Sequence, residues 1–506
     1  MTLLQGLLLL AFGELHAQKN QGFQKVQIIQ ADLQLRDQSQ PDIQRLLGNV
    51  VLGFNEARLY CDSAWKYDSG EFKALGNVRL QDGQQELLAS QLSLNPKEQR
   101  ALAETVDEFP VRMTAQAGEL TAPLLVYFLN SKTVVFPKGG ELLKEERRVE
   151  FGSGRYIVPA SVLKLGSDVK VVTASHQLDS DSVHWYDSKQ SFAFMGPSHL
   201  RSTDGRFELI CEVGEFDERS ESGWFGGKNH PGAQVRNDAL WLKADSLYLP
   251  SDSLEPSTAS GNVFVRDSLE KWELYGAYME RTIVDGVDEE EQHVWLVGDS
   301  IRQAIWIDFS ERDSTIIQAD SMQLASNKTI VWPNALFQRG DVSASCDTLI
   351  WDEDLDLIEL KDEPKMWFDG WLLQSDTLRW MLEDHVPKFL MGSGHSGLMM
   401  PLDSGCFQQI SGREIEGEFL EGELHTLYVN GNAESVYFNT EEDNPCREYN
   451  RSLSSRMRID LADSEVQRIS LLERPEGTWK SEEENPPILA GLRWTSAPTL
   501  KVPDRK

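Results

Sequence analysis

A pattern that repeats about every 28 residues constrains this chain more than any other feature of its sequence. Gly-Asn-Val occurs at 48–50 and again at 76–78, and a Gly-Asn pair returns at 261–262 and at 431–432. Between these copies, Asp followed by Ser or Thr and then an apolar or small residue recurs at Asp62, Asp181, Asp245, Asp299, Asp320, Asp347 and Asp376. Self-similarity at such a period predicts a stacked array of repeats.

Each repeat reads as strand, turn, strand, turn. Gly-Asn tolerates positive φ at little cost, so a tight reversal between strands is predicted at each pair, and the following Val starts the next strand. The Asp is expected to hydrogen-bond the backbone ahead of it, with the apolar residue two positions later pointing inward. The fourth residue after the Asp is often large, as in Leu249, Leu324, Trp351 and Trp380. One such unit is not stable alone and needs neighbours that stack on it.

Hydrophobic periodicity places the chain in the all-β class. Alternation with period two marks Lys25–Leu35, Thr133–Pro137, Asn262–Arg266, Ile301–Phe309 and Arg456–Leu461. No apolar stripe at helical spacing stands out over more than about three turns. The prediction is an elongated antiparallel β-jelly roll or β-solenoid of stacked strand-turn-strand repeats.

The chain divides into four predicted segments. Residues 1–17 contain an apolar run that ends in a small residue, Ala17, and are predicted to be a secretory signal peptide. Repeats fill 18–284 and continue over 285–421 after the acidic tract Asp285–Gln292. Residues 422–506 are predicted to form a capping β region with a long hairpin at Leu424–Phe438 and a Pro-punctuated tail. Within the repeats, the Gly- and Asn-rich stretch 219–237 is predicted to be an inserted loop.

Charge and cysteine content narrow the function classes. The net charge of −32 excludes a cationic stripe for nucleic acid and suits a soluble, sheet-rich exported protein. Cys61 and Cys346 occupy the small position of the repeat and are predicted to be buried. Cys406 and Cys446 lie in loop-like sequence, and whether they pair is left open.

No catalytic or metal-binding motif stands out. Nine histidines are scattered without His-Glu-x-x-His, and Cys-x-x-Cys does not occur. Residues Gly392–Gly397 spell a dinucleotide-binding fingerprint, but no helix pattern follows, so a mobile loop is predicted there. Acidic groups such as Asp352-Glu353-Asp354 sit at turn positions, where solvated carboxylates are the default. We therefore predict a non-enzymatic protein without a cofactor.

The paired motif resembles the OstA-like proteins of lipopolysaccharide transport, in particular the long form of Bacteroidetes-type bacteria. The resemblance rests on Gly48-Asn49-Val50, Cys61-Asp62-Ser63, Tyr67-Asp68, Gly76-Asn77-Val78 and the stretch 431–438. It implies an open β-jelly roll whose two sheets enclose an apolar groove for acyl chains, in the periplasm or on the periplasmic face of the outer membrane. Implied partners are lipopolysaccharide or a related lipid and other envelope lipid-transport or outer-membrane proteins. End-to-end self-association is left open.

The candidate groove residues are inward apolar positions of the repeat. They are Val50, Leu52, Phe54, Val78, Leu80, Leu247, Val263, Met322, Leu349 and Leu378. Two other function classes stay open. A β-solenoid surface or adhesive protein would share the repeats and the acidity. A polysaccharide-acting enzyme on a β-solenoid would need several carboxylates together on one concave face.

Overall fold

The computed structural model of the protein describes residues 25–36, 38–106, 109–220, 222–227, 232–252, 255–285, 290–310, 313–383, 386–402, 405–438, 446, 448–462, 465–481 and 487–503. These residues form β-strands and one short 3-10 helix, Val158–Ala160, which confirms the all-β prediction. The predicted signal peptide lies outside the described residues. Among those described, no helix is long and apolar enough to cross a membrane.

The strands from the N-terminus to residue 186 are β1 Gln27–Gln30, β2 Leu33–Arg36, β3 Ile43–Phe54, β4 Ala57–Tyr67, β5 Phe72–Asp82, β6 Gln85–Asn95, β7 Arg100–Glu104, β8 Val111–Ala115, β9 Gly118–Ala122, β10 Leu124–Phe128, β11 Thr133–Phe136, β12 Gly140–Lys144, β13 Arg147–Phe151, β14 Ser153–Ile157, β15 Val162–Val172 and β16 His176–Tyr186. Those from residue 191 to 332 are β17 Ser191–Phe194, β18 Ser198–Ser202, β19 Phe207–Cys211, β20 Val213–Asp217, β21 Ser222–Gly226, β22 Ala233–Asn237, β23 Leu240–Ala244, β24 Ser246–Leu249, β25 Ser257–Asp267, β26 Trp272–Asp285, β27 Glu290–Val297, β28 Ala304–Asp308, β29 Thr315–Ala319, β30 Ser321–Leu324 and β31 Lys328–Trp332. The remaining strands are β32 Ala335–Arg339, β33 Val342–Cys346, β34 Thr348–Asp352, β35 Leu357–Lys361, β36 Lys365–Phe368, β37 Trp371–Gln374, β38 Thr377–Glu383, β39 Val386–Pro401, β40 Phe407–Leu420, β41 Glu423–Phe438, β42 Glu448–Ala462, β43 Glu465–Leu472 and β44 Glu476–Ser481.

The chain forms two compact units. Unit 1 consists of residues 1–174 and 182–188, and unit 2 of residues 175–181 and 189–506. The strands that flank the acidic tract 285–292, β26 and β27, pair with each other. The segment boundaries at residues 284 and 421 stay predictions.

Unit 1 is a pair of antiparallel sheets joined through its long strands. One half of β3 pairs with β2 and the other with β1, and β6 divides in the same way between β7 and β8. The short strands β7, β10, β11 and β14 continue one series, called sheet A. The short strands β8, β9, β12 and β13 continue the other, sheet B. Both series meet at β15, whose two halves pair with β14 and β13.

Unit 2 repeats this plan. Sheet C contains β18, β19, β22, β23, β28, β29, β32, β33, β36 and β37, and sheet D contains β17, β20, β21, β24, β27, β30, β31, β34, β35 and β38. The long strands β25, β26 and β39 contribute one half to each sheet. The last long strand, β42, pairs with β43 through one half and with β44 through the other. The antiparallel jelly-roll prediction is therefore confirmed.

The Gly-Asn pairs are corners inside continuous strands, so the predicted tight reversals are wrong. β5 runs through Gly76-Asn77, and its pairing register shifts there. Both residues have positive φ, 73° and 44°, which turns the strand from one sheet into the other without ending it. The predicted hairpin at Leu424–Phe438 is wrong for the same reason, because it lies in one strand, β41, that bends at Gly431-Asn432.

The two halves of the repeat meet at these corners. The Nδ2 group of Asn77 donates a hydrogen bond of 2.9 Å to the Asp62 carboxylate on the neighbouring strand. The same contact joins Asn49 to Asp32 at 2.8 Å, Asn262 to Asp245 at 3.0 Å and Asn334 to Asp320 at 2.7 Å. The predicted bond to the backbone ahead occurs at Asp299, which accepts from the main-chain N–H of Ile301 at 2.7 Å. The repeat is thus held by Asp and Asn side chains on adjacent strands.

Two segments predicted to be loops contain strands. Residues 219–237 include β21 and β22, which pair with β20 and β19. The fingerprint-like stretch Gly392–Gly397 lies within β39, where the Asp376 carboxylate accepts a hydrogen bond of 3.3 Å from the main-chain N–H of His395. It is a further corner of the repeat and not a mobile loop. The Gly and Ser residues lie at a bend inside a strand. The two loop predictions were therefore wrong because they relied on composition alone.

The positions of the cysteines agree only in part with the predictions made from the sequence. Cys406 and Cys446, whose pairing the sequence left open, form a disulfide in unit 2. Cys61 is 6% exposed, as predicted, whereas Cys346 is only half-buried. A third free thiol, Cys211, is 2% exposed. The small position of the repeat therefore gives a fully buried thiol at only one of the two predicted sites.

We expect Cys61 and Cys211 to resist thiol reagents in the folded protein. Burial raises the pKa of Cys61 to about 11 and that of Cys211 to about 12, so the reactive thiolate is scarce at pH 8. Because the pKa values of the two thiols are higher in the folded than in the unfolded chain, the protonated thiols stabilise the folded state fully below about pH 8.5. This contribution is lost as the pH rises through 11. Labelling with Ellman's reagent, with and without guanidinium, measures this. Fast native labelling of Cys61 would contradict its placement.

Candidate functional site

The interior between the two sheets of each unit is the candidate site. All ten residues that the sequence singled out are buried there, and none is more than 4% exposed. Unit 1 holds Val50, Leu52, Phe54, Val78 and Leu80, and unit 2 holds Leu247, Val263, Met322, Leu349 and Leu378. Their contact with a lipid stays a prediction.

Most of these residues lie near the corners, where the interior is closed, whereas Phe54 is the last residue of β3, away from the corner at Gly48-Asn49. Met322 and Leu349 each stand two positions after a corner Asp and are 0% exposed. Leu349 lies opposite Leu360 on one neighbouring strand and opposite Val331 on the other, and both are equally buried. The corner side of unit 2 is therefore ordinary close-packed core in this structure.

A cavity of about 570 Å³ lies farther from the corners, between sheets C and D. Trp272, Leu274 and Trp306 of sheet C line it, and Leu324 and Trp351 of sheet D face them. The Trp306 and Trp351 rings are 5.5 Å apart and tilted by 44°. Since both rings belong to inner faces, they meet across the gap between the sheets. The inner surface is thus sealed near the corners and parted near the opposite edge.

Polar side chains surround the apolar part of this cavity. Arg339, Asp308 and Thr315 stand on the side of sheet C, and Glu353 stands on the side of sheet D. Arg339 has no ion-pair partner among the described residues. An apolar floor with a few polar groups at its rim suits a ligand that has an apolar chain and a polar head.

The cavity residues on sheet D carried a signal in the sequence. Leu324 and Trp351 are both large residues that stand four positions after a corner Asp. Because the side-chain period of a strand is two, they share the inner face with Met322 and Leu349 but lie one step nearer the open edge. In unit 2, the residues predicted from the sequence lie in the closed part of the interior, and the residues that line the cavity were not predicted. Trp272 and Trp306 on sheet C follow no repeat motif.

The corresponding edge of unit 1 is closed by polar contacts. Tyr127 of sheet A donates a hydrogen bond of 2.5 Å to Asp82 of sheet B, and Lys132 Nζ lies 3.4 Å from the same carboxylate. Burial, followed by the hydrogen bond to Asp82, raises the pKa of Tyr127. Lys144 of sheet B forms a further ion pair with Asp187, which follows β16. Unit 1 therefore has its two sheets joined at the edge where unit 2 has a cavity.

The described residues hold no metal-like cluster, since no three His, Cys, Asp or Glu side chains among them come together. The carboxylates at the rim of the cavity belong to Glu270, Asp308 and Glu353.

Comparison with protein families matches residues 23–181 to the family described as OstA-like protein. We call residues 23–181 the OstA-like segment, because this part of the chain is similar to that family. The resemblance inferred from the repeats is confirmed there. The OstA-like segment contains five of the ten candidate residues, from Val50 to Leu80, and the polar contact between Tyr127 and Asp82.

One solved structure similar to this chain is that of LptH from Pseudomonas aeruginosa, the LptA-homologous periplasmic component of its lipopolysaccharide transport device. The identity is 15%, the TM-score is 0.23, and the match covers 26% of this chain and 94% of LptH. A structural similarity at this TM-score supports no conclusion about this chain. Among curated proteins, no sequence matches. The OstA-like assignment therefore rests on the family match over residues 23–181.

Proposed function

We propose that this is a non-enzymatic, exported protein of the lipopolysaccharide-transport type that holds acyl chains between its sheets. The OstA-like segment supports the transport class. The observation that carries the lipid-binding part is the cavity of unit 2, which Trp and Leu side chains line from both sheets. Moving a chain from water into such a space gains about 0.8 kcal/mol per CH₂ group.

The shape of the cavity favours an amphiphile over a fully apolar ligand. A chain that lies in the cavity against Leu274 and Leu324, beside the two Trp rings, would leave its head group at the rim near Arg339, whose charge suits a phosphate or carboxylate. The ten residues predicted from the sequence would contact chains that reach deeper when the sheets part. The periplasm, or the periplasmic face of the outer membrane, is the proposed location. Other envelope lipid-transport proteins, and a second copy end to end, are proposed partners.

Photo-crosslinking in intact cells tests this proposal. A photoreactive amino acid at Leu324, which lines the cavity, is expected to yield a lipid adduct that mass spectrometry identifies. The same amino acid at the adjacent, outward and exposed Gln323 is the matched control. In unit 1, Leu52 and its outward neighbour Val51 form an equivalent pair.

The pattern of adducts decides between the functions. Adducts from Leu324 without adducts from Gln323 support lipid carriage between the sheets. Equal adducts from both positions would indicate adsorption on the surface and contradict it. Lipid at none of the positions would leave a structural or adhesive role.

A further inference from the structure

The C-terminal tail crosses the outer face of sheet C. Residues 487–503 form no strand, and apart from a turn at 489–492 they carry no regular structure; they run across the strands of the sheet instead of pairing with an edge. The tail begins beside Gln409 on β40, which extends sheet C by pairing with the half of β39 that pairs with β37, and it reaches Gln318 on β29. A segment of this kind occupies the sheet as a peptide ligand would.

Outward side chains of the sheet bind the main chain of the tail at both ends. The amide of Gln409 donates to the carbonyl oxygen of Pro487 and accepts from the N–H of Leu489, both at 2.8 Å. The amide of Gln318 donates to the carbonyl oxygen of Lys501 at 2.6 Å and accepts from its N–H at 3.4 Å. Paired amide contacts of this type recognise an extended backbone whatever its side chains.

Specificity for side chains comes from apolar contacts along the path. Leu489 is 4% exposed and packs in the cluster around the Cys406 disulfide. Leu492 lies over Gly397, where an added Cβ atom would come within 2.1 Å of its Cδ2 atom. The Trp494 ring stands 5.8 Å from that of Phe407. Three side chains at fixed spacing thus fit three sites on the sheet.

The surface beneath the tail is apolar although it faces away from the core. Met399 and Leu372 lie opposite each other on neighbouring strands, and Leu372 lies opposite Trp367. Leu372 and Met399 are 0% exposed and Trp367 is 8% exposed, and the Trp367 ring N–H donates to the carbonyl oxygen of Thr495 at 2.8 Å. Without the tail this apolar patch would meet water.

The tail is an imperfect ligand for its groove. The Thr495 hydroxyl is buried and has no hydrogen-bond partner in the part of the chain that the structure describes. A buried polar atom left in that state opposes binding. The tail also carries Arg493 and Lys501 and no acidic residue over 487–503, on a protein of net charge −32. Its attraction to the body therefore has a general electrostatic part, which another basic peptide would share.

We propose that the outer face of sheet C is a peptide-docking groove that the protein's own tail occupies. The groove takes an extended, basic segment of a partner protein, with aliphatic and aromatic side chains at the spacing of Leu489, Leu492 and Trp494. A partner binds by displacing the tail. The groove lies outside the sheet pair, so it is independent of the inter-sheet cavity and of the function proposed for it.

Competition between the tail and a peptide in trans tests the groove. A fluorescein-labelled peptide with the sequence of residues 487–503 is titrated with full-length protein, and its anisotropy is measured. The wild-type tail holds the groove at high effective concentration, so weak binding is expected. In a variant with Leu489→Ala, Leu492→Ala and Trp494→Ala the groove is vacated, and binding at least tenfold tighter is expected. The single variant Trp494→Ala serves if the triple variant folds poorly.

Three controls assign the binding to the groove. Gly397→Ala in the triple variant places a methyl group where Leu492 sits and should abolish binding, whereas Gln323→Ala on the outer face of sheet D should not change it. A peptide that carries the three alanines should not bind. Equal affinity for wild type and triple variant, or no binding to a triple variant that keeps its circular dichroism, would overturn the proposal.

Discussion

Leu349→Lys is expected to lower the free energy of unfolding of unit 2 by about 3–5 kcal/mol, because it places an unpaired ammonium group in sealed core. Leu349 is 0% exposed and faces the equally buried Val331 and Leu360. No water reaches this position. Guanidinium unfolding followed by tryptophan fluorescence measures the loss, since Trp351 lies two residues away on the same face.

The adjacent residue is the matched control. Ile350 points outward on the same strand and lies opposite Glu359. Glu359 already pairs with Lys361 and Arg379, so Ile350→Lys adds a third cation beside it on an accessible face and should change stability by less than about 1 kcal/mol. Leu349→Met, which keeps the volume, should cost less than about 1.5 kcal/mol. A similar loss from lysine at both positions would show that the two faces have been assigned wrongly.

The second large effect is expected from Gly76→Ala at a corner of unit 1. An added Cβ atom would stand 2.4 Å from the Asp62 carboxylate oxygen that accepts the hydrogen bond of Asn77. The backbone there has φ of 73°, which an L-residue adopts only with strain. Strain and the lost corner hydrogen bond together should cost roughly 2–4 kcal/mol.

Gly83→Ala separates the two causes. Gly83 also has positive φ, 62°, but its nearest neighbour would be 3.9 Å from an added Cβ atom. It should therefore lose only the backbone part, about 1 kcal/mol. In an Asp62→Ala background only the Cβ atom of residue 62, at 3.1 Å, stays close, so Gly76→Ala should cost clearly less than it does in the wild type; thermal unfolding of the wild type, the two single variants and the double variant gives this double-mutant cycle. A full-size loss in that background would exclude the carboxylate contact as the cause.

Much of the fold could be predicted from the sequence because its strongest signals are local and repeat. Inward positions such as Met322 and Leu378 follow from period-two alternation after the Asp, and both are 0% exposed. The Gly-Asn motif predicted positive φ angles, and Gly76 and Asn77 adopt them. The same dihedral preference serves a hairpin or a corner, and pairing with neighbouring strands decides between them. That choice depends on contacts far along the chain.

The candidate site was predicted only at its sealed end. Leu349 and Trp351 both face inward, and the sequence could not tell which of them borders a cavity. The separation of the two inner faces depends on which side chains of one sheet meet which of the other. Trp306 and Trp351, which meet across the gap at 5.5 Å, lie 45 residues apart in sequence. No local pattern connects them.

The repeat, the all-β class and the faces of the strands could be read from the residues alone, because each follows from dihedral preferences and alternation within a few residues. The paired sheets with corners, the cavity in unit 2 and the tail over sheet C depend on contacts that form only in the folded chain. Consecutive apolar residues such as Met366-Trp367-Phe368 mark a strand buried on both faces, yet they do not say what covers the outer one. Burial depends on distant segments that meet only in the folded chain, and here the outer cover is a tail that begins about 120 residues later.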